Sequence, residues 1–503
     1  MKYIVTADEM RKCDQNTTEF LKIPAMVLME RAALSVLRHI REHFAHKEPG
    51  DVSALIFCGV GNNGGDGLAL ARLMADAGYS VEVCILGDKT RSSVGWKNQY
   101  DILQHYNIKI GTNLPEGEYT ILIDALLGVG ISRDIGGVFE EAIGWFNSHQ
   151  GYKLAIDIPS GIHTDTGGIL HCAIKADTTI TFGFLKRGLI LAPGCVHAGR
   201  VICEDIGIRE KSFLGKKPGM FTYDESLEQL LPERNPLGNK GTFGKVLMIA
   251  GSDKMIGAAA LCAKACYRTG AGMVKLLTHQ DNRSALATLV PEALFGTCED
   301  LKEGLAWADV VVFGPGCGQR QEMRECLWYC LKSNDLPLII DADGINILSA
   351  QEDFLKLLQE QGDKGRTLIL TPHMGELSRL TGTEVAALKN AMPGAVKYWA
   401  TELKCTLVAK DAITFIGNAN HPICTSFNCN SGLATAGSGD VLTGIVAGLT
   451  AQGMEGFEAA SKAVAIHALA GEKACEKWGV HGCMASDLID ALCLNERNGT
   501  VEK

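Results

Sequence analysis

The stretch GNNGGDG, residues 61–67, follows the apolar run SALIFCGV and precedes the apolar-rich run LALARLMADAG. A short apolar run that ends in glycine predicts a buried strand over Ser53–Cys58. The spacing after the stretch predicts a helix over Leu68–Ala77 that stops at Gly78. A glycine-rich turn between a strand and a helix presents backbone N–H groups at a helix start, so the stretch is a candidate anion site.

Residues 59–64 also match the dinucleotide fingerprint G-x-G-x-x-G, and Asp88 follows the next strand, Ser80–Leu86, at a suitable distance. The same residues are compatible with a plain tight turn. Asp66 then has two possible roles, a contact to polar ligand groups or an N-cap of the helix, and the sequence does not decide between them.

Further strand signals over Ile121–Ile123 and Leu154–Ile156 end in Asp124 and Asp157. Strands that alternate with helical segments predict an α/β fold with a parallel sheet covered on both faces. Ligands of such sheets lie at the carboxyl ends of the strands, where the glycine stretch and both aspartates are expected.

The second half of the chain predicts another α/β domain. Residues 211–233 are polar and carry prolines, so they are interpreted as a connector. Strand signals follow, each ending in a polar or glycine-bearing turn: Lys245–Ala250, Asp309–Phe313, Pro337–Ile340, Thr367–Leu370 and Cys405–Ala409.

Composition indicates the number of domains, the kinds of partner that are excluded and the compartment of the protein. The 503 residues favour at least two domains, and the net charge of −10 argues against nucleic-acid or anionic-membrane partners. The 18 cysteines form no CxxC pair, which is typical of thiols in a reducing compartment. The N-terminus lacks the apolar core of a signal peptide and no run is long enough to span a membrane. We therefore expect a cytoplasmic protein.

The first candidate site combines three segments. Asn63, Asp124 and Ser160 could converge as hard oxygen ligands of a cation, and Asp157 lies beside Ser160 in the segment AIDIPSG. Ordinary capping and turn chemistry is the alternative for any one of these residues.

Together, GNNGGDG, DALLGVGISRD and DIPSG closely resemble the N-terminal epimerase domain of bifunctional NAD(P)H-hydrate repair enzymes, over about residues 1–215. The resemblance implies a Rossmann-like three-layer α/β/α domain, a potassium ion (K⁺) held by Asn63, Asp124 and Ser160, and Asp157 as the acid/base residue. Asp134 stands where many relatives have proline. The implied contacts to the hydrated dinucleotide are Asn62, Asn63, Gly64, Gly65, Asp66, Gly128, Val129, Gly130, Ile131, Ser132, Arg133, Asp134 and Asp157.

The second candidate site is NSGLATAGSGDVLTGIVAGLTAQG, residues 430–453, in which Gly437-Ser438-Gly439-Asp440 opens a helix. Backbone N–H groups at a helix start can form an anion hole. A carboxylate repels phosphate, so Asp440 is interpreted as the base that takes a proton from a hydroxyl attacking phosphorus. A helix N-cap is the alternative role.

Four more segments favour a nucleotide site: residues 245–276, 311–318, 368–377 and 407–416. In the third of these segments a strand ends at Thr371-Pro372-His373, and in the fourth Lys410 could reach nucleotide phosphate. Taken singly, such a histidine is more often structural, and such a lysine is more often solvated.

In family order, these motifs resemble the C-terminal dehydratase domain of the same repair enzymes, a ribokinase-like α/β/α fold, over about residues 225–495. The resemblance implies ADP or ATP with Mg²⁺, phosphorylation of the ring hydroxyl, and loss of phosphate. Asp411 stands where the family usually has glycine, Ser438 replaces threonine, and Met255-Ile256 replaces Tyr-Pro. The implied contacts are Ala258, Gly318, His373 and Asp440 to the hydrate, and Lys410, Asp411, Ala412, Ile413, Thr414 and Gly439 to adenine nucleotide.

The combined prediction is a two-domain repair enzyme, with an epimerase domain over 1–215 and a dehydratase domain over 216–503. The substrates would be NADHX and NADPHX, the hydrates of NADH and NADPH, together with ADP or ATP, and we expect a homo-oligomer. The alternative is a ribokinase-like kinase for a vitamin or sugar alcohol whose N-terminal domain only binds a ligand.

Overall fold

The computed structural model describes residues 1–426 and 430–492. The other residues of the predicted domain 216–503, namely 427–429 and 493–503, lie outside the described part. The chain forms two compact units, one over Lys2–Gly219 and one that begins at Met220. Each unit is an α/β layer structure, as the fold prediction requires.

The first unit is built on a parallel sheet of strand order β4-β3-β2-β5-β6-β7-β9, beside which β1 pairs with β8. Its strands are β1 (Lys2–Val5), β2 (Ser53–Cys58), β3 (Ser80–Ile85), β4 (Lys109–Gly111), β5 (Ile121–Ala125), β6 (Tyr152–Ile156), β7 (Thr178–Phe182), β8 (Leu185–Lys186) and β9 (Arg200–Glu204). Its helices are α1 (Ala7–Gln15), α2 (Ala25–His43), α3 (Asn62–Asp76), α4 (Val94–Leu103), α5 (Val138–Ser148) and α6 (Gly194–Ala198).

Helices cover both faces of this sheet. On one face, Ile143 and Phe146 of α5 pack with Leu55, Phe57 and Leu122 in a buried cluster. On the other face, α3 lies so close to β2 and β5 that a Cβ at Gly67 would touch Ile56, Cys58 and Ala125. The unit is therefore a three-layer α/β/α domain, which confirms the predicted fold class.

The second unit has the strand order β13-β12-β11-β14-β15-β16-β17-β18-β19-β10, parallel from β13 to β17 and antiparallel through β18 and β19. Its strands are β10 (Met220–Thr222), β11 (Lys245–Ile249), β12 (Met273–Leu277), β13 (Leu294–Gly296), β14 (Val310–Phe313), β15 (Leu338–Ile340), β16 (Leu368–Leu370), β17 (Thr406–Ala409), β18 (Phe415–Gly417) and β19 (Ile423–Thr425).

The helices of the second unit pack on this sheet, with α8 and α17 in extensive contact. They are α7 (Leu227–Leu230), α8 (Ile256–Arg268), α9 (Arg283–Leu289), α10 (Leu301–Trp307), α11 (Gln321–Lys332), α12 (Asp343–Ser349), α13 (Glu352–Asp363), α14 (Met374–Thr381), α15 (Val385–Ala391), α16 (Gly394–Glu402), α17 (Ser438–Ala451), α18 (Gly456–Trp478) and α19 (Ala485–Ala491). This arrangement agrees with the ribokinase-like expectation.

Two sequence expectations were wrong. The glycine stretch is not a turn before a helix at Leu68, because α3 already begins at Asn62 with Gly61 as its N-cap residue. Residues 211–233 are not wholly a connector, because they contain β10 and α7. Glycine and proline lower the helix and strand signals locally, and tertiary packing overrides that preference in both places.

Candidate active sites

A cavity of about 950 Å³ lies at the carboxyl ends of β2, β5 and β6 in the first unit. Most of the predicted dinucleotide contacts line it: Asn62, Asn63, Asp66, Gly128, Val129, Gly130, Ile131, Arg133 and Asp157. Its volume is within the range of sites that hold a dinucleotide-sized ligand. The structure therefore brings two distant glycine-rich segments to one cavity.

Four other predicted contacts are not part of the cavity wall: Gly64, Gly65, Ser132 and Asp134. A Cβ at Gly64 would collide with the carbonyl of Gly59, and one at Gly65 would lie 2.7 Å from Cε of Met29. These two glycines let α3 approach its neighbours closely. Packing, and not ligand contact, therefore explains why both positions hold glycine.

Asp66 does not cap the helix, because the capping position belongs to Gly61 and Asp66 lies in the second turn of α3. Its carboxyl lines the cavity instead. Burial raises the pKa of Asp66 well above its usual range, the neighbouring carboxylates of Asp157 and Asp14 raise it further, and Lys186 opposes them.

Asp157 is held by a buried lysine that the sequence analysis missed. Lys186 is 1% exposed, and its Nζ donates to Asp157 Oδ1 at 2.6 Å, Thr181 Oγ1 at 2.9 Å and the Phe182 carbonyl at 2.8 Å. Asp157 has a φ of +69°, a left-handed conformation that few non-glycine residues adopt. The backbone strain and the ion pair together aim one carboxylate oxygen at Lys186.

Asp14 is a second residue that the sequence analysis missed. It lies on α1 and lines the same cavity as Asp66, Asp157 and Lys186. Burial raises the pKa of Asp14 to about 6, and the nearby Lys186 opposes that shift. The cavity thus holds a carboxylate paired with a cation beside carboxyl groups that are easier to protonate, an arrangement suited to acid and base catalysis.

Of the predicted potassium ligands, Asn63 lines the cavity, whereas Asp124 and Ser160 are buried and are not part of its wall. The Asp124 carboxylate is fully buried and accepts from Ser160 Oγ at 2.6 Å, Ser160 N at 2.7 Å and Leu126 N at 3.1 Å. Burial raises the pKa of Asp124 to about 6. Asn63 is 8% exposed, and neither atom of its amide has a hydrogen-bond partner within the described residues. A buried amide oxygen without a hydrogen-bond partner is a suitable ligand for a hard cation, so Asn63 fits the predicted ion.

Asp440 lies at the start of α17 in the second unit. Gly437 is the N-cap residue, so Asp440 is the third helical residue and not the cap. Burial raises the pKa of Asp440 to about 7, Asp341 raises it further, and Lys410 opposes them. A half-buried carboxyl that titrates near neutrality fits a general base better than a structural cap.

Lys410 is half-buried and ion-paired rather than solvated. Its Nζ donates to Asp341 Oδ1 at 2.8 Å, and the other Asp341 oxygen accepts from Thr443 Oγ1 at 2.6 Å. A Cβ at Gly439 would lie 3.2 Å from Lys410 Nζ, so the lysine faces the glycine turn before Asp440. The structure thus places a fixed positive charge beside the N-terminus of α17, where phosphate binds favourably.

Each of the other predicted hydrate contacts lies in a turn or at a helix start. His373 is the N-cap residue of α14, accepts from the backbone N–H of Gly375 at 3.0 Å, and pairs with Lys410 in an isolated β-bridge. Gly318 N donates to Asp343 Oδ2 at 2.9 Å, and Ala258 lies in the first turn of α8. His373 therefore has the structural role of a cap, and its side chain is exposed.

Residues 411–414 form the turn between β17 and β18. The unusual Asp411 is paired with Lys389 Nζ at 2.7 Å, which offsets its negative charge. Thr414 uses its carbonyl to accept from Thr425 Oγ1 at 2.9 Å, so this end of the turn is fixed.

The residues that the sequence analysis missed here are Asp341 and Asp343, in the segment LIIDADG directly after β15. Ala342 between them has a φ of +47°. The available signal was a strand followed by two aspartates, the same signal that identified Asp124 and Asp157.

No group of three or more His, Cys, Asp or Glu side chains in residues 1–426 and 430–492 could hold a metal ion. The residues predicted to hold potassium form a set of another kind, because they combine one carboxylate with an amide and a hydroxyl. Among the helices described, none is long and apolar enough to cross a membrane.

Two α/β/α units, each with a half-buried aspartate beside a glycine-rich helix start, define a two-domain enzyme that handles nucleotides. The family described as NAD(P)H-hydrate dehydratase matches residues 246–494, and the family described as YjeF-related protein N-terminus matches residues 25–188. The bifunctional NAD(P)H-hydrate repair enzyme of Moorella thermoacetica is 34% identical over 521 residues, which cover 99% of this chain and 97% of the relative. The chain belongs to the bifunctional NAD(P)H-hydrate repair enzymes.

The enzyme of the same name from Escherichia coli is 31% identical over 500 residues, covering 97% of this chain and 92% of that protein. Among solved structures, the ADP/ATP-dependent NAD(P)H-hydrate dehydratase of Bacillus subtilis, co-crystallised with ATP and Mg²⁺, is 28% identical. It covers 53% of this chain and 95% of its own, with a TM-score of 0.46. The full-length relatives favour the repair function over a small-molecule kinase.

Proposed function

We propose that the first unit interconverts the R and S hydrates of NADH and NADPH, and that the second unit dehydrates the S form with ADP or ATP. One observation carries this proposal: each unit places an aspartate and a lysine together near a glycine-rich helix start. In the first unit, Asp157 pairs with the buried Lys186 in the cavity that the start of α3 lines. In the second, Lys410 faces the glycine turn before Asp440 and opposes the rise that burial causes in the pKa of that carboxyl. Two such sites in one chain allow both epimers to be returned to the reduced cofactor.

In the epimerase site, the reacting carbon of the hydrate bears a hydroxyl and is bonded to the ring nitrogen. Inversion at this carbon requires its bond to the hydroxyl oxygen or to the ring nitrogen to break and to form again on the opposite face, with protons moved on and off oxygen and nitrogen. Such reversible proton transfer is a task for a fixed carboxylate. Lys186 holds the Asp157 carboxylate in place through a contact of 2.6 Å, and we assign Asp157 as the base. Asp14 and Asp66 line the same cavity with raised pKa values, and they are suited to return a proton.

We assign a potassium ion to Asn63, Asp124 and Ser160. The support is the buried Asn63 amide without a partner and the buried Asp124 carboxylate, both of which suit a hard monovalent cation. When bound, the ion would supply positive charge close to the dinucleotide phosphates.

In the dehydratase site, Asp440 takes the proton of the ring hydroxyl as its oxygen attacks the terminal phosphorus of ADP or ATP. Lys410 and the backbone N–H groups at the start of α17 stabilise the charge on the transferred phosphoryl group. The phosphate ester then leaves as inorganic phosphate, and loss of a proton from the adjacent carbon restores the ring double bond. Mg²⁺ would accompany the nucleotide phosphates.

The test is recovery of the near-ultraviolet absorbance of reduced nicotinamide from mixed R and S hydrates with Mg²⁺ and either nucleotide. Complete, nucleotide-dependent recovery of both epimers is expected. If the absorbance stops rising once the S form is consumed, the epimerase assignment is contradicted. If the absorbance does not rise at all, the dehydratase assignment is contradicted.

We also propose that the enzyme is a cytoplasmic homo-oligomer. No disulfide joins the cysteines of the described residues, which suits a reducing compartment. Val27 and Leu34, two turns apart on α2, are 40% and 47% exposed, and exposed apolar residues on one helix face are suited to subunit contact. Light scattering tests the proposal, and a monomeric mass would contradict it.

A further inference from the structure

A second cavity, of about 260 Å³, lies beside the proposed dehydratase site. The turns that follow β11 and β14 form one side of it, through Gly251, Ser252 and Cys317. Gly318, a proposed hydrate contact, comes next in the second of these turns, and a Cβ on it would lie 3.8 Å from Ser252 Cβ. The cavity and the hydrate site therefore share a wall.

The two turns are joined across the cavity wall by an ion pair. Arg320 Nη2 donates to both carboxylate oxygens of Asp253, at 2.8 and 2.9 Å. One guanidinium nitrogen shared between the two oxygens links the turns at the surface, where the Arg320 and Asp253 side chains are 59% and 35% exposed. The two turns on this side of the cavity are therefore in direct contact.

The size of the cavity restricts its occupant. Sites for drug-sized ligands have about 300–1,000 Å³, so 260 Å³ is too small for a dinucleotide and suits a single nucleoside. Its lining mixes the apolar Leu277 and Met323 with the hydroxyls of Thr278 and Thr297. Such a lining can hold an aromatic base together with a sugar.

The charge of the cavity restricts its occupant further. Glu299 and Glu322 line it with their exposed carboxylates, while the guanidinium of Arg320 is committed to Asp253. Carboxylates accept hydrogen bonds from a ribose 2′-hydroxyl, and they repel a 2′-phosphate. The two carboxylates therefore favour a nucleoside whose ribose has a free 2′-hydroxyl.

We propose that this cavity binds the adenosine half of the hydrated dinucleotide and makes the dehydratase prefer the hydrate of NADH over that of NADPH. The inference rests on the proposed dehydratase function, because it places the reacting ring at Asp440 and the distal nucleoside across the shared wall.

The first experiment compares three substrates with the full-length enzyme, ADP and Mg²⁺: the S hydrates of NADH, of NADPH and of reduced nicotinamide mononucleotide. The additional phosphate carries almost two negative charges near two carboxylates, so we expect kcat/KM for the NADH hydrate to be about tenfold higher than for the NADPH hydrate. The mononucleotide hydrate lacks adenosine, and its KM should be at least about tenfold higher than that of the NADH hydrate.

Two variants locate the effect. Combined Glu299→Gln and Glu322→Gln should bring the two dinucleotide hydrates to within about threefold of each other. Gln280→Trp, which places an indole at the cavity, should raise KM for the NADH hydrate and leave KM for the mononucleotide hydrate and for ADP unchanged. Glu325→Gln, on the same helix as Glu322 but outside the cavity wall, is the matched control and should change nothing.

Equal kcat/KM values for the two dinucleotide hydrates, or Gln280→Trp raising KM equally for the mononucleotide hydrate, would overturn the assignment of the cavity while leaving the dehydratase function standing. If no hydrate were converted to its reduced nucleotide, the proposed function would fail, and this inference with it.

Discussion

Removal of the Lys186 charge tests the central feature of the epimerase site. Lys186→Met leaves the Asp157 carboxylate, 13% exposed, without its cation and removes three hydrogen bonds. Breaking a buried ion pair costs about 3–5 kcal/mol. Because Asp157 borders a cavity that water can enter, we expect a loss at the lower end of this range, about 3 kcal/mol of the free energy of unfolding.

Hydrogen-exchange mass spectrometry of the full chain measures this change for the first unit alone. Peptides from β6 and β7 should exchange about 100-fold faster in Lys186→Met, since each 1.4 kcal/mol is a factor of ten. Lys175→Met, at an exposed lysine of the same unit, is the control and should leave exchange unchanged.

A second substitution separates the ion pair from simple loss of packing. Adding Asp157→Asn to Lys186→Met removes the stranded charge, so the double variant should recover about 1–3 kcal/mol relative to Lys186→Met alone. Epimerisation should stay absent in the double variant, while dehydration of the S hydrate continues. Unchanged exchange in Lys186→Met, or strictly additive effects in the double variant, would refute the reasoning.

Three further predictions concern the other charged groups. Asp440→Asn should lower kcat/KM for dehydration by at least about 100-fold, while ADP binding measured by calorimetry stays unchanged. In the unmodified enzyme, dehydratase activity should rise with pH up to about 7 and then level off, because the ionised Asp440 carboxylate is the base and its pKa is raised to about 7. Asn63→Ala should abolish the rise in melting temperature that KCl gives over LiCl at equal ionic strength, and should cost no more than about 1 kcal/mol without potassium, since the amide has no partner to lose. Lys389→Ala should weaken ADP binding about threefold by exposing the Asp411 charge, and adding Asp411→Gly should restore it.

The sheet and its strand-end residues could be predicted from the sequence because parallel strands are nearly continuous apolar runs. The strand ends at Asp124 and Asp157 were confirmed for that reason. The start of α3 could not be predicted, since four glycines within residues 61–67 hide a helix that is stabilised by its contacts with β2 and β5.

The ion pairs of Lys186 and Lys410 could not be predicted from neighbouring residues in the sequence. A lysine is solvated unless another part of the chain supplies a carboxylate, and those partners are distant: Lys186 is 29 residues from Asp157, and Lys410 is 69 residues from Asp341. No window of sequence contains both members of either pair. Each partner aspartate nevertheless directly follows a predicted strand, so the parallel sheet itself brings it to the edge where the lysine arrives. In such a fold, an aspartate after each central strand is therefore the sequence signal to search for, and a lysine late in the same domain is the residue to pair with it.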